Sequence, residues 1–208
     1  MNNESLRRYT DIPALTYLLT KRKITLLDPK SWDDSNDSHY LSLYKQRNNL
    51  KSLLALCFTE ADETYHHWRV FASGTAGVCI RFDRTALLDA FAKHDCIRYE
   101  KVRYPTLVDL RRKKPETKDL PFIKRYAFQP ENEYRVIFES KTKEYPKLDI
   151  AIPLTCITRI TLSPWAHKSL STPLKTLLKS IEGCDDLDIV RSTLVGNEEW
   201  KNIGTSAA

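Results

Sequence analysis

The run from Glu131 to Phe138 constrains this chain more than any other segment. Two carboxylates, Glu131 and Glu133, stand two residues apart and lead into apolar residues. Because successive side chains on a β-strand point to opposite faces, a strand here places both glutamates on one face. The same strand places Tyr134, Val136 and Phe138 on the other face. The segment therefore predicts a strand with an apolar side for the core and an acidic side.

Arg135 shares the acidic face of this predicted strand. A guanidinium beside carboxylates favours their charged form, so both glutamates are expected to stay ionised. Two interpretations remain open from this segment alone. One is a solvated strand end with a surface salt bridge. The other is a binding site whose ligand compensates the negative charge of the two carboxylates.

Length and composition indicate one folded domain spanning 1–208, with 41% hydrophobic residues and 5 Gly. No apolar run reaches membrane-spanning length, and the N-terminus from Met1 lacks the pattern of a signal peptide. Five irregularly spaced cysteines without a CxxC pair argue against a disulfide framework. We therefore expect a cytoplasmic protein with no membrane partner.

The positive charge is concentrated in one segment. Ten basic and four acidic residues lie between Arg98 and Tyr126, an excess that equals the net charge of +6 for the whole chain. The densest part is Arg111, Arg112, Lys113 and Lys114. Such a run is commonly a solvated face, but before an acidic site it also suits an enzyme that handles a polyanion.

Strand and helix patterns alternate without βαβ regularity, and no glycine-rich phosphate loop occurs. This favours an α+β fold over a Rossmann fold. Asp11 and Pro13 predict the start of a helix with Leu15, Leu18 and Leu19 buried. A helix over 170–181 and a final strand over 187–194 are expected after the core.

Three blocks of sequence occur in a fixed order. The first is Leu6-Arg7-Arg8-Tyr9-Thr10, the second runs from Leu56-Cys57-Phe58-Thr59-Glu60 through Trp68 to Gly77-Val78-Cys79-Ile80, and the third is Glu131-Asn132-Glu133-Tyr134-Arg135. Together they resemble a bacterial family long catalogued as a domain of unknown function. The layout is also similar to the ADP-ribosyltransferase superfamily, including the DarT-type toxins that modify DNA.

This resemblance implies a split mixed β-sheet core with flanking helices, spanning about 6–165, with a C-terminal helix and strand over 168–200. It implies NAD as co-substrate and no metal. Carried over by position, it makes Glu133 the catalytic carboxylate, with Arg8 and Thr59 as its catalytic partners. The residues that it places around NAD are Arg8, Tyr9, Thr10, Thr59, Trp68 and Arg135. Those that it places towards the acceptor are Glu131, Arg111, Arg112, Lys113 and Lys114.

The chemistry of these residue types fits that assignment. An arginine can hold the anionic pyrophosphate of NAD through charge-assisted hydrogen bonds. A hydroxyl at Thr59 can bond a ribose or an amide. A carboxylate can stabilise the oxocarbenium-like centre that forms as nicotinamide leaves, as in glycoside cleavage. Tyr9 and Trp68 are candidates for stacking on a base.

Each of these residues also has a purely structural interpretation. Arg8 could cap a sheet edge, Thr59 could end a strand, and Trp68 could be a core residue. His66 and His67 lack a second cluster with zinc spacing and are expected to be solvated helix residues. Three aspartates, Asp33, Asp34 and Asp37, are expected in turns.

We expect an NAD-dependent ADP-ribosyltransferase, a toxin or phage-defence effector restrained by an antitoxin protein. The expected acceptor is nucleic acid, RNA or single-stranded DNA before duplex, with RNA favoured of the two. The basic segment carries aromatics that could stack on unpaired bases: Tyr99, Tyr104, Phe122 and Tyr126. The alternatives are a metal-dependent nuclease using Asp33, Asp34, Glu131 and Glu133, a transferase acting on protein, and a non-catalytic nucleic-acid-binding module.

Overall fold

The computed structural model describes residues 4–72 and 74–206. Met1, Asn2 and Asn3 lie outside this part. They belong to the N-terminal segment in which the sequence shows no signal-peptide pattern. The described strands are β1 (Ser5–Asp11), β2 (Lys23–Leu27), β3 (Ser52–Thr59), β4 (Gly77–Asp83), β5 (Ile97–Lys101), β6 (Glu133–Ser140), β7 (Lys147–Ala151), β8 (Ile157–Leu162) and β9 (Ile189–Arg191). The α-helices are α1 (Ile12–Lys21), α2 (Ser35–Arg47), α3 (Tyr65–Phe71), α4 (Arg84–Ala92), α5 (Leu107–Arg112), α6 (Lys168–Lys179) and α7 (Glu198–Thr205).

The strands form one mixed sheet in the order β5-β6-β3-β1-β4-β8-β9, with β2 beside β3 and β7 beside β2. The β8–β9 pair is parallel and the other strand pairs are antiparallel. The predicted α+β class with a mixed sheet and flanking helices is confirmed. None of the helices in the described residues is long and apolar enough to cross a membrane.

The sheet is split along one edge of β3. Along its other edge, β3 pairs with β6 over eight positions, from Ser52–Ser140 to Thr59–Glu133. On the split edge, β1 meets it at the Arg7–Thr59 pair and β2 meets it at the Leu27–Ala55 pair. The backbone of Cys57 lies between these two contacts. A cleft therefore opens where β1 and β2 diverge.

Alternation along β3 and β6 divides the two faces of the sheet. The main core contains Leu54, Leu56 and Phe58 from β3 and Tyr134, Val136 and Phe138 from β6. The opposite face carries Leu53, Ala55 and Ile137 in a second cluster, packed against α2. Because side chains alternate, Cys57, Thr59, Glu133 and Arg135 follow this second face. The predicted apolar side of β6 is confirmed, whereas the other side carries Ile137 beside Glu133 and Arg135.

Helix α1 forms as its sequence predicts. The Asp11 carboxylate accepts a hydrogen bond from the Ala14 amide at 2.8 Å, and Leu15, Leu18 and Leu19 are buried. This N-cap supplies an acceptor for an amide that the helix leaves without a partner. The short helix therefore starts directly at the end of β1 and turns the chain back towards β2.

Candidate functional site

Arg135 lies at the centre of a buried cluster of charges on β6. Its side chain is fully buried, and all five of its N–H groups have acceptors. Nε and Nη2 donate to Glu133 at 2.6 and 2.9 Å, Nη1 and Nη2 donate to Asp37 at 2.8 and 2.7 Å, and Nη1 also donates to the Pro121 carbonyl at 2.9 Å. No donor remains for a ligand. The predicted contact between Arg135 and NAD is therefore wrong, and the residue instead fixes two carboxylates.

Glu133 begins β6 and is 4% exposed. Burial alone would raise the pKa of its carboxyl, but the charges of Arg135 and Lys124 outweigh burial and hold that pKa below its ordinary value. The Glu133 amide donates to the Tyr104 hydroxyl at 2.8 Å. The site thus holds Glu133 ionised and in one place. The interpretation as a solvated strand end with a surface salt bridge is wrong.

Glu131 does not lie on the strand, contrary to the sequence prediction. It ends the 3₁₀-helix Tyr126–Glu131, and Asn132 follows with a left-handed φ of 44°. The Glu131 carbonyl accepts from the Thr59 hydroxyl at 2.6 Å and lies 3.1 Å from His67 Nε2. The two glutamates therefore reach the same region from different backbone elements.

Lys124 joins the three carboxylates of the cluster. Its Nζ lies 2.6 Å from Glu131, 3.8 Å from Glu133 and 3.9 Å from Asp37. Burial would lower the pKa of this ammonium, but the neighbouring carboxylates raise it above its ordinary value. Sequence reasoning groups Lys124 with the exposed basic segment and so misses its place in the site. The position of Lys124 in the sequence, shortly before Glu131, does not by itself indicate that it belongs to the site.

The cluster carries an excess of negative charge. Asp37, Glu131 and Glu133 supply three carboxylates, and Lys124 and Arg135 supply two cations. Burial raises the pKa of Asp37 and of Glu131, whereas the pKa of Glu133 is lowered. With all groups charged, one negative charge is left uncompensated. A cationic group in the adjoining cavity would be stabilised by it.

Arg8 occupies the cleft between β1 and β2. Its Nη1 donates to the Cys57 carbonyl at 2.9 Å, in the gap where β3 lacks a neighbouring strand. Burial lowers the pKa of this guanidinium. Within residues 4–72 and 74–206, Arg8 makes no salt bridge and no other hydrogen bond. Four of its five N–H donors are therefore available to an anion.

A cavity of about 450 Å³ joins Arg8 to the acidic cluster. This volume is within the roughly 300–1,000 Å³ of ligand pockets. The cavity is lined by Arg7, Arg8, Tyr9, Thr25, Leu27, Trp32, Asp33, Asp34, Asp37, Ala55, Leu56, Cys57, Phe58, Thr59, His67, Val70, Phe71, Lys124, Phe128, Glu131 and Glu133. Leu27, Val70 and Phe71 are exposed here although apolar. The cavity therefore combines charged walls with apolar surface that a flat ring could cover.

Three of the predicted cofactor contacts, Thr10, Trp68 and Arg135, do not line this cavity. Trp68 is fully buried, packs edge-on against Tyr9 at 5.1 Å and donates to Glu63 at 2.7 Å. A stacking role for Trp68 is therefore wrong, because its ring has no accessible face. Thr10 pairs with Val78 on β4 and lies outside the cavity lining. Tyr9 lines the cavity but is mostly buried.

Thr59 lies in the site with its hydroxyl already bonded. It donates to the Glu131 carbonyl and accepts from the Ala61 amide at 2.9 Å. Since a hydroxyl has one proton, it can offer a ligand an acceptor but no donor. Its position supports the Glu131 segment.

His67 is a functional-site residue that the sequence analysis missed. It is 1% exposed, stacks on Tyr9 with ring centroids 5.3 Å apart, and lines the cavity. The expectation of a solvated histidine is wrong. Its Nδ1 lies 2.6 Å from the Thr64 hydroxyl, so neutral His67 can accept from Thr64 and donate Nε2–H to the Glu131 carbonyl. Burial lowers its pKa, which favours this neutral form.

The predicted acceptor segment is only partly available. Arg111, Arg112, Lys113 and Lys114 are exposed at the end of α5, and none takes part in an ion pair within the described part of the chain. Of its four aromatics, Tyr126 is 55% exposed, whereas Phe122 is fully buried. Tyr104 is bonded to Glu133, and Tyr99 is half-buried against the core. Stacking by all four rings is therefore wrong.

Of the two aspartates in the nuclease alternative, Asp34 has another role, and so does the neighbouring Asp37, a predicted turn residue. Asp34 caps α2 through the Asn36 and Asp37 amides, while Asp37 is inside that helix and pairs with Arg135. The expectation that Asp37 is a turn residue is wrong. Across residues 4–72 and 74–206, no group of three or more His, Cys, Asp or Glu side chains has a metal-binding arrangement.

No protein-family model and no curated protein sequence matches the chain. Among solved structures, the chain is similar to DarT of Thermus sp. 2.9. For the complex with ADP-ribosylated ssDNA, the TM-score is 0.48 at 9% identity, over 92% of this chain and 95% of that chain. For the complex with NAD+, the TM-score is 0.46 at 12% identity, over 92% and 96%. For the complex with carba-NAD+, it is 0.47 at 12% identity, over 92% and 97%.

Proposed function

We propose that this protein is an NAD-dependent ADP-ribosyltransferase, and the contrast between Arg8 in the cleft and the buried Arg135 carries this proposal. Arg135 has all five N–H donors bonded, whereas Arg8 has one donor bonded to a carbonyl and no carboxylate within the described residues. A guanidinium in this state is suited to an anionic ligand. The same cavity is also lined by Asp37, Glu131 and Glu133 of the acidic cluster, which carries the uncompensated negative charge.

NAD matches this distribution of charge. Its pyrophosphate is an anion for Arg8, and its nicotinamide ring is a cation for the acidic cluster. The apolar surfaces at Leu27, Val70 and Phe71 offer contacts for its planar rings. A ligand with only one sign of charge would satisfy one wall and not the other.

In this proposal Glu133 acts on the bond between nicotinamide and ribose. When that C–N bond breaks, nicotinamide leaves with the electron pair and the ribose carbon becomes oxocarbenium-like. A fixed, ionised carboxylate stabilises this positive charge without reorganising. A lone pair of the acceptor then bonds to the ribose carbon, and the acceptor's proton passes to Glu131. Atoms and electrons balance with no further reactant.

Nucleic acid is the proposed acceptor, with RNA favoured over single-stranded DNA. The exposed cluster Arg111, Arg112, Lys113 and Lys114 supplies a phosphate-binding surface, and the exposed Tyr126 supplies a ring for an unpaired base. Such a transferase would damage its own cell, so we propose a toxin or phage-defence effector that acts in the cytoplasm under an antitoxin.

Labelled NAD tests this function directly. The purified protein is incubated with adenosine-labelled NAD and, in separate reactions, total RNA, single-stranded DNA and lysate protein. We expect label in nucleic acid, most in RNA, and none with Glu133→Gln. Label in protein alone would identify protein, and not nucleic acid, as the acceptor. Cleavage of nucleic acid that needs no NAD and that EDTA stops would indicate the nuclease. Salt-sensitive binding without NAD consumption would indicate the non-catalytic module.

A further inference from the structure

A second cavity adjoins the first. It has a volume of about 670 Å³ and lies between α2 and the segment 105–127. Asp37 and Lys124 line both cavities. These two side chains therefore form part of a wall with the proposed NAD cleft on one side and the segment preceding β6 on the other.

Lys124 is held in this wall both at its backbone and at its ammonium group. Its backbone amide donates to the Arg103 carbonyl at 2.9 Å, and its Nζ lies 4.7 Å from the centre of the Phe128 ring. Only 9% of the side chain is exposed. A lysine held in this way places its charge at a defined point, unlike a solvated lysine that samples many rotamers.

Glu131 depends on Lys124 for its charge partner. In the part of the chain that the structure describes, no other cation forms an ion pair with Glu131, whereas Glu133 also has Arg135. The Glu131 backbone is already held through its carbonyl. The Glu131 side chain could still rotate, and the 2.6 Å contact with Lys124 restricts that rotation.

We propose that Lys124 is a positioning residue that holds the Glu131 carboxylate, ionised, on the wall between the two cavities and thereby supports transfer to the acceptor. This inference rests on the proposed function. Lys124 acts through Glu131 and takes no proton itself. Cleavage of NAD depends on Glu133, whose charge is fixed mainly by Arg135, so it should depend less on Lys124.

The pH dependence of transfer follows from the groups around Glu131. These are Lys124, Asp37 on α2, Glu133 and Arg135 on β6, Tyr104, and His67 on α3. Burial raises the pKa of Glu131, and Lys124 opposes that rise. Removing the ammonium leaves the raising effects of burial, Glu133 and Asp37 unopposed. Without the ammonium, the Glu131 carboxyl becomes ionised, and so able to accept a proton, only at a higher pH.

The test compares Lys124→Met, which keeps the length of the side chain, with Lys124→Arg, which keeps the charge. The matched control is Lys201→Met, because Lys201 pairs with Glu198 at 2.9 Å on α7, outside both cavities. For Lys124→Met we expect transfer to fall at least tenfold, and by a larger factor than NAD hydrolysis, which also falls because Lys124 helps to hold the pKa of Glu133 low. The acid limb of transfer should move up by roughly one pH unit or more. Lys124→Arg should restore most transfer, and Lys201→Met should match wild type.

A parallel fall of hydrolysis and transfer with an unchanged pH profile, or no rescue by arginine, would overturn the inference. Carboxyl NMR of ¹³C-labelled glutamate decides the same point without activity: Glu131 should titrate at higher pH in Lys124→Met than in wild type. If that variant does not fold, Glu131→Gln provides the reciprocal measurement, because it should lower the pKa of Lys124. An unchanged titration overturns the positioning role, whereas an inactive wild type with shifted titrations overturns only the proposed function.

Discussion

Arg135 holds Glu133 by two parallel hydrogen bonds, Nε to Oε1 at 2.6 Å and Nη2 to Oε2 at 2.9 Å, from a position two residues later on the same strand. The period of a β-strand makes this pairing possible, because residues i and i+2 share a face. The carboxylate cannot rotate without breaking both bonds. A buried carboxyl is thus kept charged by an arginine that is itself fully buried and fully hydrogen-bonded.

Glu133→Gln should abolish turnover while NAD still binds. The amide keeps the shape but removes the charge that stabilises the oxocarbenium-like state, so turnover should fall by orders of magnitude with little change in NAD affinity. The structure predicts a decrease of about 1.5–3 kcal/mol in the free energy of unfolding, because Arg135 is deprived of a charged acceptor.

Thermal melts, NAD titration and turnover assays separate these effects of Glu133→Gln. Glu131→Gln serves as the comparison, since it should reduce transfer more than NAD hydrolysis. In cells, wild type should stop bacterial growth and Glu133→Gln should not. Full NAD-dependent activity in a folded Glu133→Gln protein would refute the catalytic assignment.

Arg8→Ala should weaken NAD binding selectively. Removal of a charge-assisted hydrogen bond to the pyrophosphate costs about 1.5–3 kcal/mol, which corresponds to a rise in KM for NAD of roughly tenfold to over a hundredfold. The measurement is the steady-state KM together with direct titration. Arg81→Ala is the control, because Arg81 bonds Thr158 and lies outside the cavity lining. An unchanged KM in Arg8→Ala would move the cofactor contact elsewhere, with Arg7 next.

The sheet faces could be predicted because they follow from local periodicity. Tyr134, Val136 and Phe138 alternate with Glu133, Arg135 and Glu139, and this period places them in the core although Ile137 interrupts the polar side. Glu131 could not be placed in the same way. The strand period does not reach back to it, since the left-handed backbone at Asn132 interrupts the strand. No periodic signal marks that residue.

The charge cluster could not be assembled from the sequence. Asp37 pairs with Arg135 across 98 residues, and Lys124 lies within a run of basic residues that are otherwise solvated. Their burial is a consequence of how α2 and the segment before β6 pack on the sheet. Long-range ion pairs of this kind leave no spacing pattern, whereas a capped helix such as α1 has its signals within four residues.

Acid should destabilise the protein partly through His67. Burial lowers the pKa of His67 in the fold below its ordinary value near ~6.5. The unfolded chain therefore binds the proton first, so stability falls as pH drops below that ordinary value. His67→Gln should reduce the fall in Tm between about pH 7 and pH 5, relative to wild type. His94→Gln is the control, because His94 is exposed and lies on another part of the chain. Equal acid sensitivity in His67→Gln and wild type would contradict this role.

The exposed basic cluster should serve the acceptor and not NAD. Replacing Arg111, Arg112, Lys113 and Lys114 by Ser should weaken acceptor use and flatten its salt dependence. The log–log slope should drop by about one unit for each phosphate that the variant no longer binds. Slow hydrolysis of NAD should remain, because these residues lie outside the lining of the NAD cavity.

A second variant with a similar change in charge makes this test specific to position. Lys168→Ser, Lys175→Ser and Lys179→Ser together remove three positive charges from α6, whose residues line neither cavity. If net charge alone attracts the acceptor, the salt dependence should weaken to a similar degree in both variants. If the cluster binds phosphates directly, the α6 variant should keep the wild-type slope. Equal collapse of NAD hydrolysis and transfer in the cluster variant would instead assign α5 and its end to the structure of the NAD site.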